Sequence, residues 1–157
     1  MGVRDLDMKT AGIAFAILTL AACAQTPVLS PSQLNANPQL YDEQIVKIRG
    51  YAILAPEGHS LDESEADFKA FARHYDVGVP VDPSFHPQDH FKFCLTIANP
   101  DFLLDHIKEF AFKTIVVKGK FLAHYLGPND LDIGACPLPT AIAIDIDDLK
   151  RRYGIRN

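Results

Sequence analysis

Ile45-Val-Lys-Ile-Arg-Gly-Tyr-Ala-Ile-Leu54 alternates with the period of a strand, setting Val46, Ile48, Gly50, Ala52 and Leu54 on one face and Lys47, Arg49 and Tyr51 on the other. Thr114-Ile-Val-Val-Lys-Gly-Lys-Phe-Leu-Ala-His-Tyr125 repeats the pattern, with Val117, Gly119, Phe121, Ala123 and Tyr125 opposite Lys118, Lys120 and His124. Both strands carry a glycine after an apolar-basic pair. Interior glycine weakens a strand unless the backbone must bend or approach another chain closely, so Gly50 and Gly119 mark bend points in a curled sheet. Curled sheets close into barrels.

Three further strands complete the set. Gly58-His-Ser-Leu61 follows the turn at Pro56-Glu57-Gly58, Phe91-Lys-Phe-Cys-Leu-Thr-Ile97 alternates through Phe91, Phe93, Leu95 and Ile97, and Thr140-Ala-Ile-Ala-Ile-Asp-Ile146 closes the list. Asn99-Pro100-Asp101 predicts a helix start, with Asn as N-cap and Pro at the first helical position, and the helix runs to about Phe110 along a Leu103, Ile107, Phe110 and Ala111 stripe. Short helices are also expected over Glu65 to His74 and after Asp147-Asp148, where Lys150, Arg151 and Arg152 suit the C-terminal end and Gly154 stops the helix.

Strand, short strand, strand, helix, strand, strand is the order of an OB-fold, a five-stranded antiparallel Greek-key barrel; the alternative is an open α+β sheet. Asn37-Pro38, Tyr41-Asp42, Val46-Lys-Ile-Arg-Gly-Tyr51, Glu57-Gly58, Leu61 and Val116-Val-Lys-Gly-Lys-Phe121 resemble small exported bacterial proteins with OB-like barrels. The resemblance spans roughly Asn37 to Leu149 and departs at Asp62 to His90, which is longer and more polar than a plain barrel loop. It brings no active-site motif with it.

At the N-terminus, Leu20-Ala21-Ala22-Cys23 resembles the lipobox of bacterial lipoproteins, whose cysteine is lipidated after signal peptidase II removes the leader. The preceding run from Thr10 to Leu20 is apolar but far short of the about 20 residues a membrane span needs, as a signal h-region is. Asp5 and Asp7, beside Arg4, are out of place in a basic n-region with few acids, which makes Met8 the expected initiator. Met1-Gly2 does not fit a myristoylation motif, since Leu6 stands where Ser or Thr is required. An uncleaved anchor and an ordinary secretory leader are the competing readings. The expected organisation is therefore a signal peptide over residues 1–22, a lipidated Cys23 with a Pro- and Ser-rich tether over 23–38, and a globular domain over 39–157. Ala24 rather than Asp follows the cysteine, which points to the outer membrane, facing the periplasm.

The leader is charge-neutral, so the formal net charge of -5 belongs to the mature chain. A nucleic-acid-binding domain normally carries excess Lys and Arg, so no nucleic-acid partner is expected. Removing the leader leaves about 135 residues, enough for one core. Lipidation of Cys23 leaves Cys94 and Cys136 as an even pair in an oxidising compartment, where a disulfide is expected over two buried thiols.

For function, an OB-like barrel offers the face of its second and third strands, with the loops Ala55 to Ser60 and Gly127 to Pro139, as a generic binding site. Arg49, Tyr51, His59 and His124 are the candidate residues of that face, against the reading that they decorate a solvated surface. His86, Asp89 and His90 supply metal-ligating groups, with His59 and His74 in the same region, but Pro80, Pro83 and Pro87 predict a stiff loop, not a helix that would align the two histidines. Neither Ser60 nor Ser64 sits in a nucleophile elbow, and no catalytic residue is assigned. The expectation is a non-enzymatic, membrane-anchored binding protein with an envelope protein or small ligand as partner and no cofactor; the alternative is a small metal-dependent enzyme using the His-rich insertion.

Overall fold

The computed structural model describes residues 26–55, 58–75, 78, 83–127 and 136–156. The leader, Cys23, Pro56-Glu57 and most of the loop before the last strand lie outside these residues. Strand β2 (Ile45–Ala55) is the spine of the fold. It pairs antiparallel with β5 (Lys113–Leu122) along one edge and with β3 (Gly58–Asp62) through Tyr51 to Ala55. β3 pairs antiparallel with β4 (Cys94–Ile97), β4 runs parallel to β6 (Ala141–Ile144), and β6 is antiparallel to β5. The ring closes β2-β3-β4-β6-β5 back onto β2, giving the OB-like barrel rather than an open sheet.

The two glycines sit where the barrel leaves no room for a side chain. A Cβ at Gly50 would stand 2.9 Å from Leu61 Cβ, and one at Gly119 would collide with the Ala143 carbonyl oxygen across the β5–β6 seam. Inside, Ile48, Leu95, Ile97, Val117, Phe121 and Ile142 are fully buried. The barrel is filled by side chains, with its hydrophobic burial supplying the main driving force.

The expected tether is instead folded from Val28 onward. β1 (Val28–Leu29) adds in parallel to β2 at Lys47 and Ile48, on the edge that β3 occupies further along. Helix α1 (Pro31–Ala36) follows, capped by Ser30, whose hydroxyl accepts from Gln33 N while Gln33 Oε1 accepts from Ser30 N. Leu34 is fully buried in the core, and Asn35 Nδ2 donates to the carbonyls of Lys92 and Cys94. Pro, Ser, Asn and Gln here serve capping and bridging, which composition alone does not distinguish from a linker.

Three other expectations shift. The third barrel strand starts at Cys94, not Phe91, because Pro87 opens a helical turn α3 (Pro87–His90) that runs into a 3-10 turn at Phe91–Phe93. The predicted helix from Pro100 is broken at His106 into α4 (Asp101–Asp105) and α5 (Ile107–Phe110). Asn99 caps no helix: its Nδ2 donates to Ile144 O at 2.9 Å and its Oδ1 accepts from Ile144 N at 2.7 Å, tying the helical segment to β6. Helix α2 (Glu65–Tyr75) falls where expected, and α6 (Ile146–Tyr153) starts slightly earlier because Asp145 caps it.

Candidate functional site

Strand alternation turns Leu61 into the barrel and sends Ser60 and Asp62 to the outer face of β3. Helix α2 lies across this face. Ser64 starts it, accepting from Asp67 N at 3.2 Å and donating its hydroxyl to Asp67 Oδ2 at 2.5 Å. Phe68 then seats on Tyr51 of β2, ring centroids 6.1 Å apart, and Phe71 meets Phe91 edge-on at 6.4 Å. Between helix and sheet remains a cavity of about 390 Å³.

The floor of this cavity is polar and the walls are aromatic. Asp62 pairs with Cys94 in the β3–β4 register, and Cys94 is joined to Cys136 by a disulfide whose Cα atoms are 5.9 Å apart. An Asp62 carboxylate oxygen and the two sulfurs all lie within 4.8 Å of one another. The expected bridge is thus present, and it brings Cys136-Pro137, from the loop before β6, into the pocket wall. Asp67 lines the same space.

Asp62 is the electrostatically unusual group. Its carboxyl is pushed up to about 6 chiefly by burial, opposed by the hydrogen bond from the Ser60 hydroxyl at 2.8 Å and reinforced by the negative charge of Asp67. Among the described residues neither Asp62 nor Asp67 has an ion pair. On the opposite wall His90 stacks on Phe85 with centroids 4.4 Å apart, and its Nδ1 is buried without a hydrogen bond. Native folds leave few polar atoms so placed, and those they leave call for a reason.

The four residues proposed for the binding face do not converge. Tyr51 is on the right face but is only 6% exposed, serving as the seat for Phe68. Arg49 is exposed one outward position away, beyond the pocket lining. His59 pairs with Leu54 and so falls on the opposite side of β3 from Ser60 and Asp62. His124 follows β5 near the other end of β2, where its Nε2 lies 2.9 Å from the Gln39 amide.

His86, Asp89 and His90 do not form a ligand cluster either. Among the described residues the side chains grouped closely enough to share an ion are Asp62, Cys94 and Cys136, and there the two sulfurs are bonded to each other. His86 and Asp89 are exposed, while His90 is held by aromatic packing.

The pocket lies on the outer face of the second and third barrel strands, and none of Arg49, Tyr51, His59 and His124 lines it. Phe68 and Phe71 are spaced i, i+3 on a short helix and read as ordinary packing. Asp62 falls at the start of the long polar insertion in the sequence, whereas in the structure it is the last residue of β3. Comparison of the chain with protein families, with curated proteins and with solved structures gave no match.

Proposed function

We propose that the chain is a lipid-anchored cell-envelope protein whose barrel is a non-enzymatic binding module, taking a small ligand in the pocket between β3 and α2. The observation that carries this is the pocket: aromatic walls over a half-buried carboxylate that has no cation against it among the described residues. Small-molecule sites are concave, mostly apolar and furnished with a few placed polar groups, and a perturbed titratable residue in such a cleft marks a candidate site.

The Cys94–Cys136 disulfide supports export to an oxidising compartment. Anchoring at Cys23 would also place the barrel. Only five residue steps separate Cys23 from Val28 in β1, a reach of at most about 18 Å. The module would therefore work close to the outer membrane's periplasmic surface, not at the end of a long tether.

Palmitate labelling of wild type and Cys23→Ser tests the anchor: label in the wild type alone is expected, and equal labelling would refute it. Native mass spectrometry of the protein drawn from envelopes in nonionic detergent tests the pocket. A small molecule retained by wild type and lost in Phe71→Ala is expected. Identical masses after correction for the substitution would sink the ligand role.

A further inference from the structure

We propose that the pocket is selective for organic cations, meaning an ammonium or guanidinium group carried on a small apolar body. This rests on the pocket being a ligand site, and it concerns what that site selects.

The charge inventory of the lining is one-sided. Asp62 and Asp67 both face the cavity, and no lysine or arginine is among its described lining residues. The only hydrogen bond Asp62 receives among the described residues is from Ser60, through Oδ1, so Oδ2 has no donor among them. A desolvated carboxylate with an open oxygen is poorly served by a neutral apolar ligand, which leaves it unpaired, and worse by an anion, which adds repulsion. A cation answers both costs.

The walls favour the same class. The faces of Phe68, Phe71, Phe91 and Phe93 are regions of negative potential, and aromatic enclosure is how ammonium groups with apolar substituents are recognised. Phe93 already shows this attraction on the rim, where Lys92 Nζ stands 5.0 Å from its ring centroid. Lys92 itself is exposed and does not line the cavity. A volume of about 390 Å³ accommodates a small ammonium compound or the end of an amine-bearing side chain. Asp62 is fixed at the floor by strand pairing and Phe71 on the wall by α2, so the cation-selecting groups sit on rigid elements.

Titration calorimetry of the full chain in nonionic detergent separates the possibilities, using choline chloride and its uncharged isostere 3,3-dimethylbutan-1-ol. Choline is expected to saturate the site at least about tenfold more tightly than the alcohol, since the two probes share a shape and differ in charge. Lowering the pH from about 7.5 to about 5 should weaken choline about tenfold as Asp62 takes up its proton. The groups that face Asp62 are Asp67 on α2, His90 on α3 and Tyr51 on β2. Asp62→Asn isolates the cause: it should cut choline affinity about tenfold at neutral pH and flatten most of the pH profile while the protein stays folded. Equal affinity for the two probes would overturn the cation assignment and leave the pocket as a neutral-ligand site. Saturation by neither at millimolar concentration would overturn both readings, and an Asp62→Asn protein that binds choline like wild type would remove Asp62 from the account.

Discussion

Replacing Asp62 by Asn should make the protein more stable at neutral pH, and the size of the gain follows from the position of the carboxyl. Its pKa rises from 3.8 to about 6 on folding, so the native state holds the proton more tightly than the unfolded chain does. That proton-linked stability is fully present below about pH 4 and is lost as the pH climbs through about 6. At about pH 7.5 the fold therefore carries a cost of about 3 kcal/mol for an ionised, partly desolvated Asp62, because each tenfold change in proton affinity is worth about 1.4 kcal/mol. Asn keeps an acceptor for the Ser60 hydroxyl but adds the desolvation of its own amide, which lowers the expected gain to about 1 to 3 kcal/mol. Urea unfolding followed by far-UV circular dichroism, with the disulfide intact, reads this directly in wild type and variant from about pH 4 to 8. The two curves should converge at the acid end and separate above about pH 6. A variant less stable than wild type at neutral pH, or a difference independent of pH, would refute the claim that Asp62 is held at a cost.

Other expectations follow from single contacts. Removing the disulfide with Cys94→Ala and Cys136→Ala should cost about 4 kcal/mol, from the loop entropy of its separation of 42 residues, read as a fall in the urea midpoint. Thiol titration of the unfolded, unreduced domain should find neither cysteine free; two reactive thiols would reject the bridge. Gly119→Ala should lower stability by about 2 kcal/mol or more, because its Cβ meets the Ala143 carbonyl and lies 2.9 Å from Ile142 Cδ1; an unchanged melting temperature would show that the β5–β6 seam yields. Asn99→Ala removes both side-chain bonds to Ile144 and should cost about 2 to 3 kcal/mol, with hydrogen exchange accelerating first at Ile144.

The barrel was readable because its information is local and periodic. Val46 to Gly50 alternates apolar or small with basic residues, Gly50 and Gly119 mark places where only hydrogen fits, and Cys94 and Cys136 lie in segments the topology brings together. What was not readable depends on pairings between distant segments. Leu34 looks like a linker residue until it fills the core, and Asn35 has no visible purpose until β4 supplies its carbonyl partners. Phe91 and Phe93 have a strand's alternation, yet Pro87 sets up a turn and their rings face the pocket instead. Tertiary contacts outweighed local propensity there, as they do when packing gains exceed the small energies that separate strand from turn.

The filled barrel limits where the proposed ligand could sit. With Leu95, Val117, Phe121 and Ile142 filling the interior, a ligand would have to bind on the outer surface. The long insertion after β3 builds a concave place there by laying α2 over the sheet and standing a second wall at His90 to Phe93. Two such walls would be free to collapse together or drift apart if only loops joined them. Cys94 holds the base of one wall in β4, and its bridge to Cys136 fastens the loop before β6 to the same point. A site so tied would be ordered on folding, so the proposed ligand would pay little to order it on binding. The half-buried Asp62, held by Ser60 and with no cation against it among the described residues, is consistent with the proposed cation site. A partly desolvated carboxylate at the floor of the cavity weakens the empty protein, and on that proposal a bound cation of the right shape would recover the loss.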